Sequence, residues 1–440
     1  MRSRRLLVDV SPLRESREYR CLYAGQSVAY LGTQLTTVAV PFQVYQLTGS
    51  SLAVGMIGLA SLIPLVVLSL AGGAIADAID RRKLLIATQL ATGATSAVLA
   101  LNALQPRPAL WPLYVCAALE AGLAGIDLPT RQAILPNLVR REQFAAAASL
   151  GQVLFQVGSV AGPALAGLII AQLSLAAAYW IDAATALAAI AGVAAIRPQP
   201  PEGGGRKAGL DSVKEGLRFL RGKRVLLGTF LIDINAMVFG MPRALFPALG
   251  ANLYGGGPAT VGLLYAAPAA GALVGAVTTG WVAHVRRQGR AVVIAVVAWG
   301  VAIAAFGLTP VLPLGLLFLA LAGAADVVSA VFRSTILQLS VPDHLRGRLS
   351  SVHIAVVTGG PRLGDAEAGA VAALSTPRIS VVSGGLACIA GALLLAKALP
   401  ALARYEAPYN RVGEPDRGNG AGRGSQPEPW LSSEKEGPDG

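Results

Sequence analysis

From residue 19 onward the chain alternates long apolar runs with short polar gaps. Six runs lie at about 19–45, 52–77, 84–104, 110–133, 145–170 and 174–196, and six more at about 225–250, 259–283, 291–309, 312–338, 349–373 and 378–400. Each has roughly the 20 residues that a helix rising about 1.5 Å per residue needs to cross a hydrocarbon core about 30 Å thick. The pattern predicts an all-α membrane protein with 12 transmembrane helices. Between the two sets lies Arg197-Pro-Gln-Pro-Pro-Glu-Gly-Gly-Gly-Arg-Lys, a stretch with the composition of a linker. The expected organisation is therefore a leader over 1–18, a six-helix bundle over 19–196, a linker over 197–224, a second bundle over 225–400, and a tail over 401–440. The tail has no apolar period and is read as disordered.

The first run is unusually polar. Gln26, Tyr30, Gln34 and Thr37 recur at spacings of four, four and three, which places them on one helical face. A polar stripe in lipid must face protein or water. It is read as the lining of a substrate cavity, with a stripe of structural interhelical hydrogen bonds as the alternative. Glu120 and Asp127 in the fourth run are further cavity candidates.

Composition narrows the class. With 54% hydrophobic and 14% charged residues, the chain is not a string of soluble domains. The formal charge of +12 invites a nucleic-acid reading, but all except four of the 36 Lys and Arg residues fall in the tails and the five proposed inner loops with their helix ends. The exceptions are Arg107 and Arg378 in outer loops and Arg243 and Arg362 inside runs. Positive loops stay cytoplasmic, so both termini are expected there and nucleic acid is not an expected partner. The preference for Arg over Lys suits a high-GC bacterium, and the expected location is its plasma membrane. Cys21, Cys116 and Cys388 have no metal-ligand spacing, and no His, Cys or Ser constellation suggests an enzyme. No phosphate loop is present, so no cofactor is expected and a proton gradient is the natural energy source. The expected partners are membrane lipid, a small-molecule substrate and protons, with the chain as a monomer.

The halves repeat each other. Adding 202 turns Gly158, Gly162 and Gly167 into Gly360, Gly364 and Gly369, and Arg131 into Arg333. Adding 207 turns Gly55 and Gly73 into Gly262 and Gly280. Parallel six-helix repeats that rock about a central site are an established transporter plan.

Gly73-x-x-x-Asp77-x-x-Asp80-Arg81-Arg82 resembles the loop motif between helices two and three of the major facilitator superfamily. Gly158-x-x-x-Gly162-Pro163-x-x-x-Gly167 is similar to the helix-five motif of its proton-coupled drug and metabolite exporters, and Arg131-Gln-Ala-Ile-Leu-Pro-Asn-Leu-Val-Arg-Arg-Glu to a loop of the enterobactin-exporter-like branch. The resemblance covers about residues 19–400 and implies two pseudo-symmetric six-helix bundles working by alternating access. It implies an inner gate in which Asp77 pairs with Arg131, supported by Arg81 and Arg82. Asp80 stands where the superfamily usually has glycine, and His284 replaces the acid of the mirror motif at Gly280. A Gly-Pro pair in helix five also suits a kinked, close-packed gate.

Proton coupling needs an acid whose affinity for a proton changes with its surroundings. Arg362 and Asp365, three apart, can pair on one face of run eleven, whereas Glu367 points about 200° away from Asp365. Glu367 and Asp365 are the leading switching acids, with Arg362 modulating; a permanent structural pair is the alternative. Asp326 and Asp233 come second, and Asp182 is read as a peripheral hydrogen-bonding residue. Acids outnumber arginines inside the runs, which favours cationic or amphipathic solutes, and 6% aromatic residues suggest no stacking cage. The expected function is proton-coupled export of a drug, siderophore or hydrophobic metabolite. Alternatives are a proton-coupled importer of a small metabolite and a non-transporting membrane sensor or lipid-binding protein.

Overall fold

The computed structural model describes the backbone of residues 9–200, 220, 222–341 and 343–406; within these, the side chains of 70, 73–74, 76–77, 283, 343–348 and 350–355 lie outside the description. The first six long helices are α1 (Arg17–Thr48), α2 (Ser51–Ala78), α3 (Arg81–Ala103), α4 (Trp111–Leu138), α5 (Phe144–Gln172) and α6 (Leu175–Ala194). The second six are α7 (Arg224–Phe239), α8 (Pro258–Thr278), α9 (Gln288–Leu308), α10 (Leu312–Ser340), α11 (Asp343–Leu374) and α12 (Pro377–Ala398). Among the described residues, ten segments are long and apolar enough to cross a membrane; α1 and α11 are not among them, being the polar members. The outer surface carries large apolar side chains, with Val277 80% and Ile63 71% exposed. In water that surface would be a liability, and in lipid it is the expected face.

Short connections close the hairpins by local chemistry. Gly49, at φ 62°, takes the left-handed position that ends α1, and Ser50 caps α2 by accepting from the Ala53 N–H. Asp80 caps α3 by accepting from the Arg82 N–H at 2.9 Å, with φ −54°. That negative φ is why the turn has no need of glycine here.

One hydrophobic core lies within residues 220–402. The first half has two, one of which reaches across to Ala244 and Val261. Across the halves, α2 packs on α11 and α5 on α8. The glycine repeat explains these crossings. Gly158 and Gly162 face Tyr30 and Gln34 of α1, while Gly167 faces Gly262 of α8. Correspondingly, Gly360 and Gly364 face Met237 and Val238 of α7, and Gly369 faces Gly55 of α2. In each pair of equivalent helices two glycines admit a neighbour in the same bundle and the third admits the opposite bundle.

Two expected boundaries change. The seventh run, expected as one helix over 225–250, is broken: α7 stops at Phe239, a 3-10 turn covers Arg243–Leu245, and a short piece covers Phe246–Asn252. Pro242 lacks an N–H and Gly240 is a poor helix residue, so the break falls between them. The tail, expected to be disordered from 401, starts packed. Leu402 is fully buried, the Gly289 N–H donates to the Tyr405 carbonyl at 3.2 Å, and Arg287 pairs with Glu406 at 3.2 Å. Residues 407–440, and most of the proposed linker, lie outside the described residues.

Candidate functional site

A cavity of about 470 Å³ lies between the two halves, a size suited to a drug-sized ligand. Its first-half wall is Tyr30, Gln34 and Thr37 from α1 with Gln152, Phe155, Gln156, Ser159 and Pro163 from α5. The second half contributes Met241, Arg243 and Phe246 from the broken segment, Tyr265 from α8, Trp299 from α9 and Asp326 from α10. The first-half wall is a bonded polar chain: the Gln34 amide donates to the Tyr30 hydroxyl at 2.8 Å, and that hydroxyl lies 2.9 Å from Ser159 Oγ. Gly158 and Gly162 leave room for these two side chains, since a Cβ on Gly158 would lie 2.5 Å from Tyr30 Cδ1. The motif of α5 thus shapes the cavity as well as the bundle crossing.

Irregular backbone at membrane depth must find its hydrogen bonds within the protein. The break in the seventh run does so: the Gly240 carbonyl accepts from Trp299 Nε1 at 3.0 Å, the Arg243 carbonyl from the Tyr265 hydroxyl at 3.1 Å, and the Ala244 N–H donates to Asp365 Oδ1 at 3.0 Å. Asp365 therefore serves the break. Arg362 donates to the Thr358 carbonyl at 2.6 Å in its own helix. The expected Arg362–Asp365 contact pair does not form among the described residues, because a spacing of three permits the pair while the Ala244 N–H supplies a competing donor. Glu367 is half-buried, and its carboxylate has no partner among the described residues.

The second-half ion network runs between α7 and α10. Arg333 Nη1 lies 2.9 Å from Asp233 Oδ1, and Nη2 lies 3.9 Å from Asp326 Oδ1. Asp233 is 2% exposed and Asp326 29%, so one arm is sealed and the other opens on the cavity. A single guanidinium shared by two carboxylates can be handed to one when the other is protonated.

The remaining sequence candidates lie elsewhere. Tyr30 and Gln34 stand in the cavity wall; Gln26, one turn earlier, does not, and neither do Glu120 and Asp127. Those two acids are seven apart on the face of α4 that meets α3, so Glu120 accepts from Thr95 at 3.1 Å and Asp127 from Thr88 at 3.1 Å and Gln89 at 3.2 Å. Arg131 is paired with Asp127 in its own helix. Gly73 lies in the last turns of α2, but the Asp77 side chain lies outside the description, so the Asp77–Arg131 pairing does too. Arg81 donates to the Ala133 carbonyl at 3.4 Å, and Arg82 to the Ala194 carbonyl at 2.5 Å, which ends α6. Asp182 is buried and accepts from Thr36 at 2.6 Å and Ser96 at 2.7 Å, an interior junction of α1, α3 and α6.

Three features had no reading in sequence. Gln199, in the linker, is buried: its N–H donates to Asp80 Oδ1 at 3.2 Å, its carbonyl accepts from the Arg81 N–H at 3.1 Å, and its side chain accepts from Asn137 at 3.0 Å. Arg243 is exposed and stands in the cavity wall. Finally, Tyr30, Phe155, Phe246, Tyr265 and Trp299 converge there despite the low aromatic content. Only Arg243 had a local signal, the Gly240-Met241-Pro242 stretch before it, and the apolar residues on both sides mask that signal.

The family comparisons agree with this architecture. The sequence model of the transmembrane secretion effector family matches residues 8–417. The enterobactin exporter EntS of Citrobacter koseri is 31% identical over 406 residues, spanning 91% of this chain and 96% of the relative. EntS of Shigella boydii is 30% identical over 403 residues with the same coverage. Among solved structures, the nucleoside transporter NupG superposes with TM-score 0.66 at 15% identity over 88% of this chain and 100% of that one. A bacterial homologue of the lysosomal transporter Spinster, inward-facing and unoccupied, superposes with TM-score 0.66 at 14% identity over 88% and 95%. The helical plan, the paired glycine crossings and a full-length family match lead to one conclusion: this chain belongs to the transmembrane secretion effector family of the major facilitator superfamily and is a membrane transporter, not an enzyme.

Proposed function

We propose that this protein exports a siderophore or a similar hydrophobic metabolite from a bacterial cell by proton-coupled alternating access, seated in the plasma membrane with both termini cytoplasmic. The observation that carries this reading is the Asp233–Arg333–Asp326 network with one arm on the cavity. The curated relatives, matched over nearly their whole length, are named as enterobactin exporters.

The bundle contacts support an inward-facing reading. Gly167 meets Gly262, Gly369 meets Gly55, and Asn252 donates to the Tyr45 hydroxyl at 2.8 Å, all at the end holding the α1–α2 and α11–α12 connections. With cytoplasmic termini that end is outside, and the cavity faces inward. With substrate seated there, Asp326 releases its proton to the inside, and Arg333 then shares its charge with Asp233. After the bundles rock, a proton arriving from outside neutralises Asp326, Arg333 returns to Asp233, and substrate leaves. The unpartnered Glu367 favours a second reading in which α11 carries the proton, while Asp365 belongs to the outer seal. Asp77 and Arg131 would close the inner side in the outward-facing state.

The test is accumulation of enterobactin in energised everted vesicles with and without a protonophore. Accumulation abolished by the protonophore is expected; accumulation indifferent to it would remove proton coupling from the account.

A further inference from the structure

Among the described residues of the cavity wall, Arg243 is the basic one and Asp326 the acidic one. The two are not in the same situation. Asp326 has Arg333 at 3.9 Å, whereas the Arg243 guanidinium, exposed to the cavity, makes no hydrogen bond or contact ion pair among the described residues. Asp365, the other acid within its electrostatic reach, is engaged by the Ala244 N–H. A guanidinium that is exposed to a ligand cavity and held by no contact partner among the described residues is free to meet a counter-charge brought by the ligand.

The base of this side chain is fixed while its head is open. Tyr265 on α8 holds the Arg243 carbonyl, and Asp365 on α11 holds the next N–H, so the 3-10 turn is pinned from two helices. A guanidinium on a rigid base is a directed fork for a planar oxyanion. Phe246, Tyr265 and Trp299 stand in the same wall, with the Tyr30–Gln34 hydrogen-bonding pair on the first-half wall. The site thus combines one cation, aromatic faces and neutral hydrogen-bonding groups.

We propose that Arg243 is the specificity-determining residue of the cavity, binding an oxyanion, a carboxylate or ionised phenol, carried on an aromatic ring of the transported molecule. This rests on the cavity being the transport site. It also reverses the expectation of cationic solutes, because most acids of the spans have partners away from the cavity while Arg243 does not.

Salicylate and its uncharged amide, salicylamide, differ mainly in the charge at issue. Their binding to purified full-length protein in detergent is read by tryptophan fluorescence at neutral pH, Trp299 being in the wall. Wild-type protein should prefer salicylate by about tenfold or more, the smallest discrimination expected of a charge-assisted hydrogen bond. Arg243→Gln should abolish the preference by weakening salicylate alone, and Arg243→Lys should restore part of it. Wild-type protein without a preference for the anion, including one that binds neither probe, overturns the proposal, as does Arg243→Gln weakening both ligands equally. If Arg243 serves only to neutralise Asp326, then Asp326→Asn would rescue Arg243→Gln, and that result also overturns it. Vesicles that fail to accumulate enterobactin while the binding preference persists would sink the export reading and leave this one standing.

Discussion

Gly167 and Gly262 meet backbone to backbone: a Cβ added to Gly167 would lie 3.0 Å from Gly262 Cα. The repeat of this contact is Gly369 against Gly55, at 3.2 Å by the same measure. Both join one bundle to the other at the same end of the molecule. Such approaches are open to glycine and closed to any larger residue, so these four positions make the seal a contact of main chains.

Gly262→Leu should therefore hold the bundles apart at that end. Overpacking a close contact costs about 1–3 kcal/mol, which shifts a two-state equilibrium by roughly 5- to 150-fold. With Cys21, Cys116 and Cys388 replaced by serine and Gln34→Cys introduced as a probe, a membrane-impermeant maleimide applied from outside should label the Gly262→Leu protein faster than its parent. Equal labelling would show that the crossing does not control access.

Arg333 stands between two acids, and its removal is not equivalent to removal of either. Arg333→Ala leaves Asp233, 2% exposed, without its counter-ion, a loss of about 3–5 kcal/mol. Asp326→Asn keeps the 2.9 Å contact to Asp233 intact. In thermal unfolding in detergent, Arg333→Ala should melt well below wild type and Asp326→Asn close to it. The reverse order would place the stabilising contact on the cavity side.

Asp182 is expected to act in packing alone. In Asp182→Ala, Ser96 keeps an acceptor in the Thr92 carbonyl at 3.1 Å, while Thr36 loses its carboxylate partner. An orphaned buried hydroxyl costs about 1–3 kcal/mol. Thermal stability should fall accordingly, while transport per folded molecule is retained; loss of transport without loss of stability would give Asp182 a part in coupling.

The glycine register was legible in sequence because close helix approach leaves few choices of residue. The same holds for Arg131 and Arg333, whose positions at equivalent helix ends follow the 202-residue offset. What was not legible is rotation. Glu120 and Asp127 share a face of α4, but nothing local says whether that face meets the cavity or α3. Arg362 and Asp365 have the spacing of a pair, and it was the distant Ala244 N–H that decided against it. The break at Gly240 and Pro242 was hidden because apolar residues continue on both sides of it, so a hydropathy window passes over the one stretch that positions Arg243. The aromatic wall was invisible for a related reason: composition counts residues, while the cavity gathers these aromatic side chains from four helices and the break.

If a proton held at the Asp233–Arg333–Asp326 network drives export, replacing the acid on the cavity side should separate driven transport from exchange. Wild-type and Asp326→Asn protein are compared in everted vesicles, following enterobactin accumulation under an imposed pH gradient and exchange of labelled for unlabelled enterobactin without one. Asp326→Asn should abolish gradient-driven accumulation and retain exchange, because substrate still binds and the bundles still rock. Gradient-driven accumulation at the wild-type level in Asp326→Asn would contradict it and move the proton to Glu367.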